Sequence, residues 1–396
     1  MAANCLLRAG FKVLVLEKSL VALDGRGAGI VTHSKLLSVL ERCGVVVDDT
    51  LGVKVETRVV LAEDGGELAR ESYSQILTSW GRLYNLLMVA LPAENYVLNA
   101  GVKHVESLGS HSVVHCTNGQ AYTAPLTIAA DGIRSAVRAQ LAPEVKPVYA
   151  GYVAWRGICE EASLSTLTLQ TLFANFGFGL PDHEQMLGYP VAGPGNDTRV
   201  GKRCYNFVWY RPALGDTLKQ LMTDADGIEY SNELGGGIPP QKVSWRELAA
   251  VREAAARLLA PQFAEILQKT AQPFLQPIFD LCSTKIAFDR VAIMGDAAFV
   301  ARPHVGMGVT KAAEDAEALT DAILAHGLTA KALEAFEDAR LKPATAVVER
   351  GRQLGAYMES QSFSAKQFNN ADVARSAQKV MNETAVDLAL RATATN

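Results

Sequence analysis

The chain has 396 residues, a formal net charge of −4 and 49% hydrophobic residues. That length carries two domains sharing a core, and the weak negative charge without long basic runs argues against a nucleic-acid partner. No apolar run reaches the roughly eighteen residues that a membrane-spanning helix needs, and the first residues lack the basic stretch of a signal peptide.

In chain order, residues 2–9 read as a helix with Gly10 after it, and residues 11–17 as a strand ending in an acid. Residues 25–30, Gly-Arg-Gly-Ala-Gly-Ile, are too glycine-rich for regular structure. A helix is predicted over 34–43, where Leu36, Leu37 and Leu40 share a side. Residues 53–62 and 68–73 alternate around Asp64-Gly65-Gly66, a hairpin signal. A helix over 82–91 follows, then strands over 102–108 and 112–117, with a turn at Asn118-Gly119 leading into 121–123. From about Pro147 the texture changes to strands over 149–157, 166–178, 185–190 and 204–210, as in a mostly antiparallel sheet. Helices are predicted over 245–257 and 262–270. Gly235-Gly236-Gly237 with Pro239-Pro240 marks a mobile surface loop. A helical tail runs from about Leu333, with weak patterning over its last fifteen or so residues.

Six cysteines lie far apart without a Cys-x-x-Cys pair, and the seven histidines show no metal-type spacing. No metal site is therefore expected, and scattered thiols fit a cytoplasmic protein.

Two stretches carry the chemistry. Residues 295–308, Gly-Asp-Ala-Ala-Phe-Val-Ala-Arg-Pro-His-Val-Gly-Met-Gly, follow the buried-strand run 291–294 and precede an amphipathic helix over 309–326. An acid ends a strand and two glycines open a helix. Glycines permit close backbone approach, and the helix start offers free N–H groups and positive dipole to an electron-rich ligand edge. Residues 130–138, Ala-Asp-Gly-Ile-Arg-Ser-Ala-Val-Arg, likewise end a strand run at 126–129.

These stretches resemble the GD and DG motifs of the single-component flavin-dependent aromatic hydroxylases, the class of p-hydroxybenzoate hydroxylase. Residues 11–18, Phe-Lys-Val-Leu-Val-Leu-Glu-Lys, are similar to the second strand of that family's dinucleotide fold. Residues 150–157 and 302–304 are most similar to members acting on dihydroxypyridines. The family's opening strand and G-x-G-x-x-G turn have no counterpart here. The expectation is a truncated gene model, and a chain that folds poorly or holds FAD weakly.

The resemblance implies an α/β fold: a Rossmann-like FAD-binding domain, its first strand absent, with an inserted, mostly antiparallel substrate domain and a C-terminal helical tail. Residues 1–55, 79–146 and 283–332 would form the first, 56–78 and 147–282 the second, and 333–396 the tail. It places Asp296 on the ribityl hydroxyls, Pro303 beside the flavin ring, and Gly306, Met307 and Gly308 along its pyrimidine edge. Glu17 would bind ribose with Lys18 nearby. Arg82 would face the flavin phosphates, where its fork donates two bonds, or the ribityl chain, and Asp131 the pyrophosphate region. Arg134 and Arg138 read as capping or locally paired. Thr310 and Lys311 stand where the family often has Asn and its neighbour.

His304 is a candidate base toward a substrate hydroxyl, with a structural role as the alternative. Tyr189 and Tyr210 are candidate ring-oxygen contacts, and His33 and His183 weaker ones. The implied activity is hydroxylation of an electron-rich aromatic or hydroxypyridine ring through a flavin C4a-hydroperoxide. It would use FAD, NADH or NADPH, and O2, with a small aromatic substrate and a homodimer as the family's habit. A flavin reductase or dehydrogenase on the same fold, and an inactive flavin-binding remnant, remain open readings.

Overall fold

Strands from both halves of the chain, the central ones buried at nearly every position, build one nine-stranded sheet. In spatial order its strands are Phe299–Val300, Phe274–Cys282, Val148–Glu160, Cys204–Pro212, Gln185–Val191, Asn175–Gly179, Val53–Leu61, Glu67–Ser79 and Gly29–Val31. Every neighbouring pair is antiparallel except Asn175–Gly179 with Val53–Leu61. The computed structural model describes residues 1–21, 23, 29–230, 235–359 and 376–387. Residues 25–28 of the expected glycine-rich loop, and the last residues of the tail from 388, lie outside these.

The period of two assigns the faces of the sheet. On Val148–Glu160, Val153 and Trp155 enter a core with Phe263 and Ala255, from the helices Pro261–Lys269 and Trp245–Leu258. Tyr152 and Ala154 face the other way, among Phe176, Tyr189, Val208 and Tyr210. That second face looks onto the half of the molecule built around a small parallel sheet. There the strands Thr127–Ala129 and Val291–Ile293 run parallel, with Ala287–Phe288 at the edge. The helices Gly308–His326 and Ala330–Glu359 cover them through Leu319, Ile323, Leu333 and Phe336. Val15–Leu16 pairs in parallel with Tyr96–Val97 as a separate two-stranded sheet. Of the expected strand over 11–17, these two residues are the paired part. Among the described residues, no helix is long and apolar enough to cross a membrane.

One expected strand is corrected. Residues 166–178 split into a helix, Thr166–Leu172, and a strand, Asn175–Gly179. The Thr-Leu-Thr-Leu alternation mimics a strand, but the Ser165 side chain caps the helix at the Thr168 N–H. Glu265 in turn accepts from the Ser165 N–H at 2.8 Å and its hydroxyl at 2.7 Å. Local capping plus burial of Thr168 and Leu172, four apart, outweighs β propensity. The Gly235–Gly237 loop, expected as plain surface, borders the cavity described next.

Candidate functional site

A cavity of about 680 Å³ lies between the tyrosine-bearing face of the large sheet and the turns that end Val291–Ile293. That size is typical of small-molecule and cofactor sites, about 300–1,000 Å³. Asp296, Pro303, Gly306 and Gly308 form one wall, and Arg156, Tyr189, Tyr210 and Gln276 belong to the other. Six residues singled out in the sequence thus converge: Asp296, Pro303, Gly306, Gly308, Tyr189 and Tyr210.

The first wall follows from local backbone chemistry. Gly295–Ala297 is a single 3₁₀ turn after the strand, with Gly295 at φ 61°. The Gly295 N–H donates to Asp315 Oδ2 at 3.0 Å, which pins the turn to the Gly308–His326 helix. Asp315 also receives Arg340 Nε at 2.7 Å and lies 3.8 Å from the fully buried Lys311 Nζ. The Asp296 carboxyl is left facing the cavity, open to it yet walled by protein. Burial pushes its pKa above the usual carboxylate range, Lys311 pulls it down, and Asp315 adds to the rise. Gly306 sits at φ 66°, and a Cβ there would lie 2.7 Å from Ala385. Gly308 opens the 19-residue helix toward the cavity, and a Cβ there would meet nothing.

The DG stretch locks to this wall. Arg138 is buried and donates to Ala297 O at 2.9 Å and to Ile133 O. Asp131 Oδ2 accepts from the Ala136 N–H at 2.9 Å, capping the Ala136–Leu141 helix. Arg134 reaches the cavity and donates to Gly235 O at 3.2 Å.

The second wall is apolar with one cation. Tyr189 and Tyr210 are buried; burial lifts Tyr189 to about 12 and Tyr210 higher, and the charge of Arg156 lowers both. Arg156 donates to Gln276 Oε1 at 2.7 Å and has no carboxylate partner among the described residues. The sequence reading passed over Arg156 and Gln276. The available signal was the strand period, which puts Arg156 on the face of Tyr152 and Ala154.

His304 lies behind the wall, not in it. Its ring is fully buried, 4.0 Å from that of Tyr210, and Nε2 is 2.9 Å from Tyr152 Oη. Met307 turns its side chain into a core with Val305, Val347 and Leu354. Glu17 accepts from the Ser19 N–H at 2.8 Å, Lys18 is exposed, and Arg82 donates to Thr50 Oγ1 at 2.7 Å. None of these three borders the cavity. His33 is buried against Thr310 Oγ1 at 2.8 Å, and the His183 ring stacks on Tyr357.

Above Gly306 runs a strap, residues 376–387. The Ala385 N–H donates to His304 O at 3.0 Å, and Ala385 borders the cavity. Arg58, fully buried on Val53–Leu61, holds the strap through the carbonyls of Met381, Thr384 and Ala385 at 2.6, 2.6 and 2.7 Å. Sequence reasoning gave no sign of it, since Arg58 looks like an ordinary outward strand residue.

A family described as FAD binding domain-like matches residues 149–280. A 2,6-dihydroxypyridine 3-monooxygenase of Paenarthrobacter nicotinovorans is 27% identical over 359 residues, 90% of this chain and 88% of that protein. The solved 2,6-dihydroxypyridine-3-hydroxylase from Arthrobacter nicotinovorans superposes with TM-score 0.80 at 26% identity, covering 95% of this chain and 93% of the other. Klebsiella pneumoniae HpxO, solved with FAD and uric acid, shares the fold at 19% identity and TM-score 0.72, covering 97% and 90%. The chain therefore resembles the FAD-dependent aromatic hydroxylases along nearly its whole length and has their Rossmann-like fold.

Proposed function

We propose that this chain is an FAD-dependent monooxygenase that hydroxylates a small electron-rich aromatic or hydroxypyridine ring, using NADH or NADPH and O2. The observation that carries the reading is the facing of two unlike walls across one cavity. One has an acid, a proline and two glycines at a helix mouth; the other has a cation and two tyrosines on three adjacent strands. The residues present fit FAD. Asp296 is an acceptor bordering the cavity, and its carboxyl holds no hydrogen bond or ion pair among the described residues. Gly306 and Gly308 leave backbone bare where a flat ring would lie, and the helix start favours negative charge on that ring's edge. Bound there, FAD supplies the activation of oxygen, and the protein supplies position and electrostatics.

The chain's own part concerns the substrate. Arg156 favours the deprotonated form of a ring hydroxyl, as it does for the neighbouring phenols, and an anionic ring is the better nucleophile. Tyr189 and Tyr210 stay protonated and donate to ring oxygens. His304 acts through Tyr152 and Tyr210, fixing their orientation. The apolar lining around them excludes water. The relatives' names support a hydroxypyridine as the first substrate class to try.

The test is a visible spectrum of the purified chain with FAD, followed by NADH and a panel of hydroxypyridines and hydroxybenzoates. Bound-flavin peaks that bleach faster with one aromatic, and a product gaining one oxygen atom, are expected. Fast NADH consumption without oxygen insertion would replace this reading with a reductase, and absence of bound flavin would overturn it.

A further inference from the structure

Three side chains that look unrelated in the sequence meet on the outer face of the ribbon formed by Val102–Ser107, Ser112–Cys116 and Ala121–Ala124. His104 and Glu106 are two apart on one strand, so both point outward. His115 is the cross-strand partner of His104. The inward face at the same level holds Val105, Val114 and Cys116, which are buried. Both Nε2 atoms converge on Glu106 Oε1, at 3.3 Å from His104 and 3.2 Å from His115. The imidazole rings are stacked, 4.2 Å between centroids and 9° from parallel. One atom from each residue lies within 4.8 Å of the others.

We propose that His104, Glu106 and His115 form a binding site for a borderline divalent transition metal such as Zn²⁺, remote from the cavity. Two imidazole nitrogens and one carboxylate oxygen are the donor set that such ions prefer, with water completing the coordination. Mg²⁺ and Ca²⁺ prefer oxygen ligands throughout and are poor fits. The strand geometry already holds the two histidines and the carboxylate together, so little ordering remains for the ion to impose. A bound ion would staple Val102–Ser107 to Ser112–Cys116. On the third strand the residue paired with His115 is Ala121, small and exposed, which leaves the approach open.

The experiment uses the full-length, untagged chain, stripped with EDTA and desalted. It is titrated with ZnCl₂ by calorimetry and with Co²⁺ by visible absorption. One equivalent of Zn²⁺ that competes with Co²⁺, and no response to MgCl₂, is expected. His104→Gln/His115→Gln should lose that equivalent while keeping wild-type circular dichroism, and Glu106→Gln should weaken it. Zn²⁺ uptake that is absent in the wild type, or that persists in the double variant, would overturn the assignment. So would a thiolate-to-Co²⁺ charge-transfer band, which would place the ion on cysteine.

Discussion

Replacing Arg58 by Met removes the buried cation that holds the strap's carbonyls over the cavity while keeping an apolar stem of similar length. In the native chain its guanidinium donates to three strap carbonyls and to Gln75 Oε1, over the ring of Tyr73 at 4.3 Å. If the strap stayed in place without Arg58, those carbonyls would lose their charged donor. Ala385 O keeps the Gln75 Nε2 donor at 2.9 Å, so two carbonyls are left short; at about 1–3 kcal/mol for each buried unsatisfied group, that penalty is roughly 2–6 kcal/mol. Opposing release, Val380, Met381 and Val386 are buried, worth about 1.5–3 kcal/mol each, Arg350 pairs with Glu383 at 3.6 Å, and Asp387 binds Ser34 and Tyr73. Against these stands ~1–2 kcal/mol of backbone entropy for every residue ordered. The balance favours release of the strap over unfolding of the chain. Hydrogen exchange should therefore show the amides of Thr384 and Ala385 losing protection in Arg58→Met, while those of Val291–Ile293 keep theirs. Wild-type protection at Ala385 in the variant would refute the claim that Arg58 holds the strap.

Other outcomes follow from the same geometry. Asp296→Asn should weaken FAD binding about 10- to 100-fold, the value of ~1.5–3 kcal/mol for a hydrogen bond to a charged group. Its apo melting temperature should not fall, because the native carboxyl holds no hydrogen bond or ion pair among the described residues and its pKa is raised by the surrounding protein; a lower one would count against an acid reserved for ligand. Arg156→Met should raise KM for an anionic aromatic about tenfold or more while leaving bound flavin unchanged, and loss of flavin instead would move Arg156 to the cofactor. Burial lowers His33 to about 4 from 6.5, so the unfolded chain takes up that proton first as pH falls. Stability from this group is complete above pH 6.5 and declines toward pH 4 by roughly 3 kcal/mol, and His33→Asn should flatten that part of the profile. Identical urea midpoints for both proteins across the window would contradict the burial argument.

The parts of the site that were legible in the sequence are those that a few adjacent residues determine. Asp296, Pro303, Gly306 and Gly308 sit in one strand–turn–helix passage, where strand burial, glycine and helix periodicity agree. The sheet strands around Tyr189 and Tyr210 were legible because glycine and proline punctuate runs of strand length. Thr166–Leu172 misled because its strand-like alternation is overruled by a cap from Ser165 and by Glu265, a hundred residues away. Arg156 and Arg58 escaped notice because their meaning lies in partners at Gln276 and at 381–385, and no local pattern announces such distances. Glu17 and Arg82 lie apart from the cavity, at positions that only the family resemblance connects to it.

The walls of the cavity come from Gly29, Ile133, Arg156, Tyr189, Gln276 and Ala385, so they span nearly the whole described chain. No contiguous stretch can form it early, and every wall waits on loop closures that slow folding as sequence separation grows. A refolding chain would recover most of its helix and sheet before it regains a closed pocket. A ligand that enters there binds the finished state alone, so by mass action its concentration sets how much of the newly made protein stays assembled.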